Sequence, residues 1–331
     1  MKEIIVSQND SGQRLDKFLL KAFPKLSKNA VYKYIRLKRV KINGKRARCE
    51  QFLNENDILQ LYINDEFLII SKFPEIADKN EKDVQKATVL NIVYEDKNII
   101  LLNKPVGILC HQDKSNSKNL AEMLKIYLQN KNEYNPQNDL SFSPALCNRI
   151  DCNTQGLVIA AKNAAALREM NKKIRLREVR RFYLCIIQGK ITPKEGILKG
   201  HYYKDKIINK ATVNSKISLE NNNKNDYVES RYKTLSSNNT SDSILNEEKH
   251  KTYSLLEVEI ITGKSHQIRA QLAEKGHPIL GDKKYGSTEC AKNTGQALYA
   301  HKINFSFSDN DGILNYLNNK TFDIKDNFVK T

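Results

Sequence analysis

CNRIDCNTQGLVIAAKN, residues 147–163, sets a polar turn directly against an apolar run. The first half suits an Asx-type turn, since short side chains such as Asp151 and Asn153 hydrogen-bond nearby backbone. The second half, GLVIAAK, is a β-type segment, and helical spacing follows it over residues 164–175. Working outward, further β-type runs are NIVYEDKNIILLNKP, RRFYLCIIQGKI and YSLLEVEIIT, with helical spacing near 117–130 and 265–275. Strands of mixed spacing with helices between them predict an α+β domain. Its central sheet should be mixed and largely antiparallel, flanked by helices and loops, rather than a Rossmann repeat. Neither GxGxxG nor a Walker sequence is present, so no nucleotide cofactor is predicted.

The 331 residues allow two domains or three small ones, and 40% hydrophobic residues supply a core. No run approaches the roughly 18 apolar residues of a membrane span. The first residues, MKEIIVSQNDSGQRLDKF, mix charge with apolar side chains and carry no secretory pattern, so a cytoplasmic protein is expected. Cysteines 49, 110, 147, 152, 185 and 290 form no CxxC pair, and reduced thiols are expected. Cys147 and Cys152 flank Asp151, but no second Cys/His pair has zinc-like spacing, so no metal site is predicted.

Lys and Arg number 55 against 38 Asp and Glu, a formal charge of +17. Lysine excess in a Lys-, Asn- and Ile-rich chain carries little information. Arginine is scarcer, 13 residues, and its planar fork suits phosphate and base edges. Four arginines lie at 36, 39, 46 and 48, and five at 168, 175, 177, 180 and 181. The stretch from Lys28 to Arg48 holds nine Lys/Arg and no Asp or Glu, with aromatic residues interleaved. Such a run is usually a solvated face, but one lacking any balancing carboxylate points to nucleic acid. Lys33, Arg36, Lys38, Arg39, Lys41, Arg46 and Arg48 are the candidate contacts here, and Arg180 and Arg181 in the second group.

Upstream, RLDKFLLKAF (14–23) places Leu15, Phe18, Leu19 and Phe23 on one helical face. Ser27 is a predicted N-cap for a second, basic helix, and Asn43-Gly44 a predicted hairpin turn. The pattern of RLDKFL, basic helix and V-x-I-N-G-K resembles the RNA-binding module first known from small-subunit ribosomal protein S four. Residues 1–63 are therefore expected to form this module, 64–88 a linker in which FLII could add a strand, and 89–331 a second domain. Residues 221–226 and 236–251 are polar, nearly without apolar side chains, and predicted to be mobile loops.

Three distant segments carry the chemistry: IVYEDKNIILLNKPVGILCHQD (92–113), residues 147–163, and LEVEIITGKSHQIRAQLAEKGHPILGDKKYG (256–286). Each alone has a structural explanation as a turn or tight loop. Together, in this order, they resemble the pseudouridine synthases that modify large-subunit ribosomal RNA. The family's H-R-L-D-x-x-T-S-G is here Asn148 to Gly156, its T-G-R-x-H-Q-I-R is Thr262 to Arg269, and its K-x-Y strand is Arg181-Phe182-Tyr183. The resemblance implies Asp151 as the catalytic residue, Arg149 as the arginine that fills the gap left by an extruded base, and Arg269 as the partner of Asp151. It also implies Tyr183 as the ring that stacks on uracil and takes part in proton transfer. Asn148, Cys152 and Gln155 depart from the usual His, Arg and Ser, which leaves the nucleophile intact but bears on how RNA is held.

The activity so implied is isomerisation of specific uridines in structured RNA, most readily large-subunit (23S) ribosomal RNA, after base flipping. It needs no external group, and a monomer is expected. Asp151 has three routes open to it: attack on C1′ of the ribose, addition to C6 of the base, or proton chemistry through a glycal. Alternatives are a non-catalytic RNA-binding or ribosome-assembly factor, a synthase acting on tRNA, and a carboxylate-dependent hydrolase, which would normally need a second acid that no spacing picks out.

Overall fold

The computed structural model describes residues 1–69, 90–112, 119–205, 207–215, 226–240, 251–288, 295–309 and 311–324. Most of the expected linker, residues 221–225 of the first polar loop, 241–250 of the second, and Cys290 lie outside the described residues.

The chain begins with β1 (Lys2–Ile5), α1 (Leu15–Ala22), α2 (Lys28–Arg36), β2 (Val40–Ile42), β3 (Lys45–Arg46) and β4 (Ile58–Leu61). The strands form a sheet in the order β1-β4-β2-β3. Leu15, Phe18, Leu19 and Phe23 are fully buried, as the helical period requires. Ser27 caps α2 by accepting from the Ala30 N–H, and Lys38, at φ 58°, closes its end. Val31 and Ile35 face the core while Lys33 and Arg36 face solvent. Asn43 and Gly44, at φ 52° and 76°, make the tight turn between β2 and β3. The module's core runs past Ile63: Phe67 and Leu68 pack into it. FLII therefore adds no strand over its described part. Residues 65–67 form a single 3-10 turn, because turning Leu68 inward buries more apolar surface than an exposed edge strand would.

The second domain comprises β5 (Ile92–Glu95), β6 (Ile99–Lys104), α3 (Leu120–Asn130), β7 (Ala145–Leu146), β8 (Gln155–Ala161), α4 (Ala164–Arg175) and β9 (Val179–Gln188). It continues through β10 (Glu195–Asp205), β11 (Lys210–Asn214), β12 (Tyr227–Thr240), β13 (Lys251–Ile260), α5 (Gln267–Glu274), β14 (Leu298–Phe305) and β15 (Thr321–Asp323). One sheet runs β11-β10-β12-β13-β9-β14-β8-β6-β5, with β15 on β14 and β7 on β8. All pairs are antiparallel except β8 with β14, so the sheet is mixed and the fold α+β.

Alternation along β6 and β8 explains their unbroken apolar runs. Ile100, Leu102, Val158 and Ala160 join Leu124 and Leu128 of α3 on one face, and Ile99, Leu101, Leu157 and Ile159 join Ala166 and Met170 of α4 on the other. Each of these Val, Leu, Ile and Met side chains contributes roughly 1.5–3 kcal/mol. Residues 236–240, expected in a loop, instead extend β12: Ser236 through Thr240 pair with Leu255 back to Lys251. Backbone pairing and polar contacts such as that between the Ser237 and Ser254 hydroxyls (3.0 Å) hold this arm, so it lacks the apolar alternation by which strands are read. No helix among the described residues is long and apolar enough to cross a membrane.

The two domains are joined by buried polar contacts. The carboxylate of Asp10, fully buried, accepts from the Leu140 and Ser141 N–H groups (2.9 and 2.8 Å) and from the Ser141 hydroxyl (2.6 Å). Asn9 Oδ1 accepts from the Ala164 N–H at the start of α4.

Candidate active site

Asp151 lies on the turn between β7 and β8, at the wall of a cavity of about 460 Å³. The turn is anchored from β6. Lys104, fully buried, donates to the carbonyls of Pro105, Ile108 and Cys152 at 2.8, 2.8 and 2.9 Å. Burial pulls its ammonium down to about 8, against the opposing pull of Cys110, Cys152 and Asp151. The Gly107 N–H also reaches the Cys152 carbonyl, and Thr154 closes the turn onto the Asp151 carbonyl. Asn148, at the position of the family's histidine, accepts from the Ile159 N–H and so ties the turn to β8. Gly156 is required by its surroundings. At φ +128° a Cβ there would lie 2.3 Å from the Ala300 carbonyl oxygen, where β8 meets β14.

The Asp151 carboxylate accepts from Nη1 of Arg269 at 2.9 Å, across a separation of 118 residues. Arg269 lies in the buried first turn of α5, and its other edge is bound by Asp282, Nε to Oδ2 at 2.6 Å and Nη2 to Oδ1 at 2.9 Å. Burial alone would lower the Arg269 pKa, but Asp282 and Asp151 outweigh it and the net shift is upward. Tyr285 lies under the guanidinium, 4.9 Å from ring centroid to Cζ, and its hydroxyl meets Nδ1 of His266 at 3.0 Å. His266 Nε2 is 3.9 Å from Asp151. Burial brings His266 down to about 4, with Arg269, Lys204 and Lys284 adding and Asp151 opposing, so it is neutral at neutral pH. The loop before α5 is held by Gln267, whose side-chain oxygen accepts from Thr262 and from the Lys264 N–H.

Tyr183, on β9, is buried in the same wall. Burial pushes its phenol up to about 12, with Arg181 opposing and Asp151 adding. Cys147, also lining the cavity, has its thiol pushed up to about 12 by burial, the behaviour of a core thiol. Among the described residues no cluster of three His, Cys, Asp or Glu side chains is arranged to hold a metal ion.

Around Asp151, the single carboxylate of this lining, stand Arg149, Arg175, Arg177, Arg181, Lys264 and Arg269. The second arginine group of the sequence is thus divided. Arg175, Arg177 and Arg181 line the cavity, Arg168 reaches the Ser11 carbonyl of the first domain, and Arg180 pairs with Glu259 (Nε to Oε1 2.6 Å). Arg180 is therefore ion-paired while its side chain stays 47% exposed. Lys33, Arg36, Lys38, Arg39, Arg46 and Arg48 are exposed and Lys41 is half-buried, 5.2 Å over the Tyr62 ring. They lie in the first domain, away from the Asp151 lining. His266, Asp282, Tyr285 and Lys104 carry the geometry of the site without having been singled out in the sequence. All four stand inside the quoted segments, but only the folded chain brings them to Asp151.

Residues 98–274 match the family model described as RNA pseudouridylate synthase, and residues 13–59 match the S4 domain. An uncharacterized RNA pseudouridine synthase of Mycoplasma capricolum subsp. capricolum is 30% identical over 322 residues, covering 97% of this chain and 96% of that protein. The ribosomal large subunit pseudouridine synthase C of Vibrio parahaemolyticus serotype O3:K6 is 28% identical over 320 residues, covering 92% and 89%. In fold, the chain is similar to human RNA pseudouridylate synthase domain containing 1. The TM-score is 0.51 at 18% identity, over 68% of this chain and 82% of that one.

Proposed function

The chain belongs to the RNA pseudouridylate synthase family, an isomerase acting on RNA, and from this we propose that it converts specific uridines of large-subunit ribosomal RNA to pseudouridine with Asp151 as the catalytic group. The observation that carries the reading is the Asp151–Arg269 ion pair set in a cavity lined with cations. The Arg269 guanidinium fixes the direction in which the Asp151 carboxylate faces the cavity, from which C1′, C6 or a ribose proton of a bound uridine is within its reach. The cationic lining suits a polyanion, and it favours a flipped nucleotide whose extrusion costs a few kcal/mol.

The reaction breaks the N1–C1′ bond, joins C5 to C1′, and moves the C5 proton to the base nitrogen system, so the overall formula is unchanged. Tyr183 offers its ring to the uracil. As its phenol is protonated at neutral pH, any proton it accepts from C5 must be matched by release of its own. Arg149 would fill the stack vacated by the base. The exposed cations of α2 and the β2–β3 hairpin would hold structured RNA at a distance from the reacting atoms.

Mapping pseudouridines in ribosomal and transfer RNA, with the gene present and deleted, tests this. One or a few positions should vanish from large-subunit ribosomal RNA on deletion and return with the wild-type gene but not with Asp151→Ala. Identical maps would overturn the proposal, and loss confined to tRNA would overturn the choice of RNA.

A further inference from the structure

Arg180 and Arg181 are neighbours in sequence and opposites in situation. Alternation along β9 sends Arg180 to one face, where Glu259 binds it by two hydrogen bonds and the Phe182 ring lies 5.1 Å away. Arg181 is sent to the face of Tyr183, into the cavity wall. There its Nε is buried without a hydrogen-bond partner, and no carboxylate among the described residues pairs with it. A guanidinium nitrogen buried without a partner is costly, and a fold that keeps one in a cavity wall calls for an anion supplied from outside.

From this geometry we propose that Arg181 is a phosphate-binding subsite of the cavity, holding the phosphodiester that flanks the uridine whose base lies on Tyr183. The assignment rests on the reading of the cavity as a uridine site. Two residues along a strand separate Arg181 from Tyr183 by about 7 Å, a span that a ribose bridges between a base and its phosphate. Gly263 lies beside the Arg181 guanidinium, where a Cβ would stand 3.5 Å away, in ordinary van der Waals contact. Lys264 and Arg177 line the same cavity and add positive potential along the track by which a phosphate chain would enter. The fork of an arginine matches two phosphate oxygens, which a uracil carbonyl cannot offer.

The test uses the full-length chain and an in vitro transcript of large-subunit ribosomal RNA, with affinity measured over a KCl series and pseudouridine formation measured in parallel. Arg181→Ala should weaken binding about 10- to 100-fold and reduce the slope of log K against log salt by roughly 0.7–0.9. Arg181→Lys should keep the wild-type slope, since the charge remains, and restore only part of the affinity, since an ammonium lacks the fork. Should the alanine variant not fold, Arg181→Met keeps the apolar stem and should show the same reduced slope. An unchanged slope in the neutral variants, whether affinity falls or not, overturns the phosphate assignment while leaving the synthase reading intact. A wild-type protein that binds the transcript but forms no pseudouridine in ribosomal or transfer RNA overturns that reading and this subsite with it.

Discussion

Asp282 grips Arg269 along one edge of its guanidinium, Nε at 2.6 Å and Nη2 at 2.9 Å, and thereby decides that Nη1 is the donor turned toward Asp151. Asp282 is 2% exposed, so this grip is shielded from water and stiff. The carboxylate proposed to do the chemistry is thus aimed through an arginine that a second, buried carboxylate aims in turn.

Replacing that second carboxylate should separate aim from binding. Asp282→Asn keeps the shape but turns an amide donor toward guanidinium donors, which frees the arginine to shift. A displacement of this kind is expected to lower kcat about 100-fold with KM for RNA little changed, since Asp282 is not part of the cavity lining. Single-turnover kinetics would show it, and an unchanged kcat would refute the positioning role. Breaking a buried ion pair also costs about 3–5 kcal/mol, so the melting temperature should fall in the same variant.

Gly156 offers a purely steric prediction. The Gly156→Ala methyl would overlap the backbone of Ala300, with the nearest atom at 2.3 Å and φ at +128°, so no side-chain rotation relieves it. The parallel contact between β8 and β14 must open, and the turn bearing Asp151 begins just before it. A loss of at least about 3 kcal/mol is expected, which for a domain of this size lowers the melting temperature by roughly 6–12 °C. Calorimetry measures it, and a variant melting within a degree or two of the wild type would contradict this account.

His266 predicts a pH effect whose sign follows from linkage. Its folded pKa is about 4 against an ordinary value of 6.5, so the unfolded chain binds the proton more readily. Stability from this group is therefore complete above pH 6.5 and is lost as pH falls from 6.5 toward 4. The groups facing it are Asp151, Arg269, Tyr285, Lys204 and Lys284, of which Asp151 alone favours the charged form. The effect is on the order of 3 kcal/mol at most. Urea unfolding at pH 7 and pH 5 should show a smaller difference for His266→Gln than for the wild type; an equal difference would exclude His266 as its source.

What could be read from the chain divides by the range of the interactions involved. Ser27 and the Asn43-Gly44 turn were legible because a cap and a hairpin turn are decided by residues within a few positions. Leu15, Phe18 and Leu19 were legible because burial follows the helical period. Asp151 and Arg269 were joined only by resemblance, since nothing local links residues so far apart. Asp282 and Tyr285 carry no local signature at all; a buried aspartate and a ring gain meaning only when β9, α5 and the following loop converge. Residues 236–240 misled because a ladder held by backbone bonds needs no apolar side chains. The pairing of Arg180 was not legible because Glu259, its partner, is contributed by a different strand.

The exposed basic face of the first domain should act on affinity and leave the chemical step alone. Arg36, Arg39 and Arg46 are exposed, and among the described residues none forms an ion pair that would have to be broken before RNA binds. Each phosphate contact contributes roughly 0.7–0.9 to the slope of log affinity against log salt, so Arg36→Ala, Arg39→Ala and Arg46→Ala together should reduce that slope by as much as about 2–3. KM should rise in parallel while kcat at saturating RNA stays near the wild-type value, because these side chains lie outside the lining of the Asp151 cavity. A fall in kcat with unchanged KM would show instead that the first domain shapes the active site. The buried bonds from Asp10 to Leu140 and Ser141 would then be the physical route for that effect, and Asp10→Asn should reproduce it.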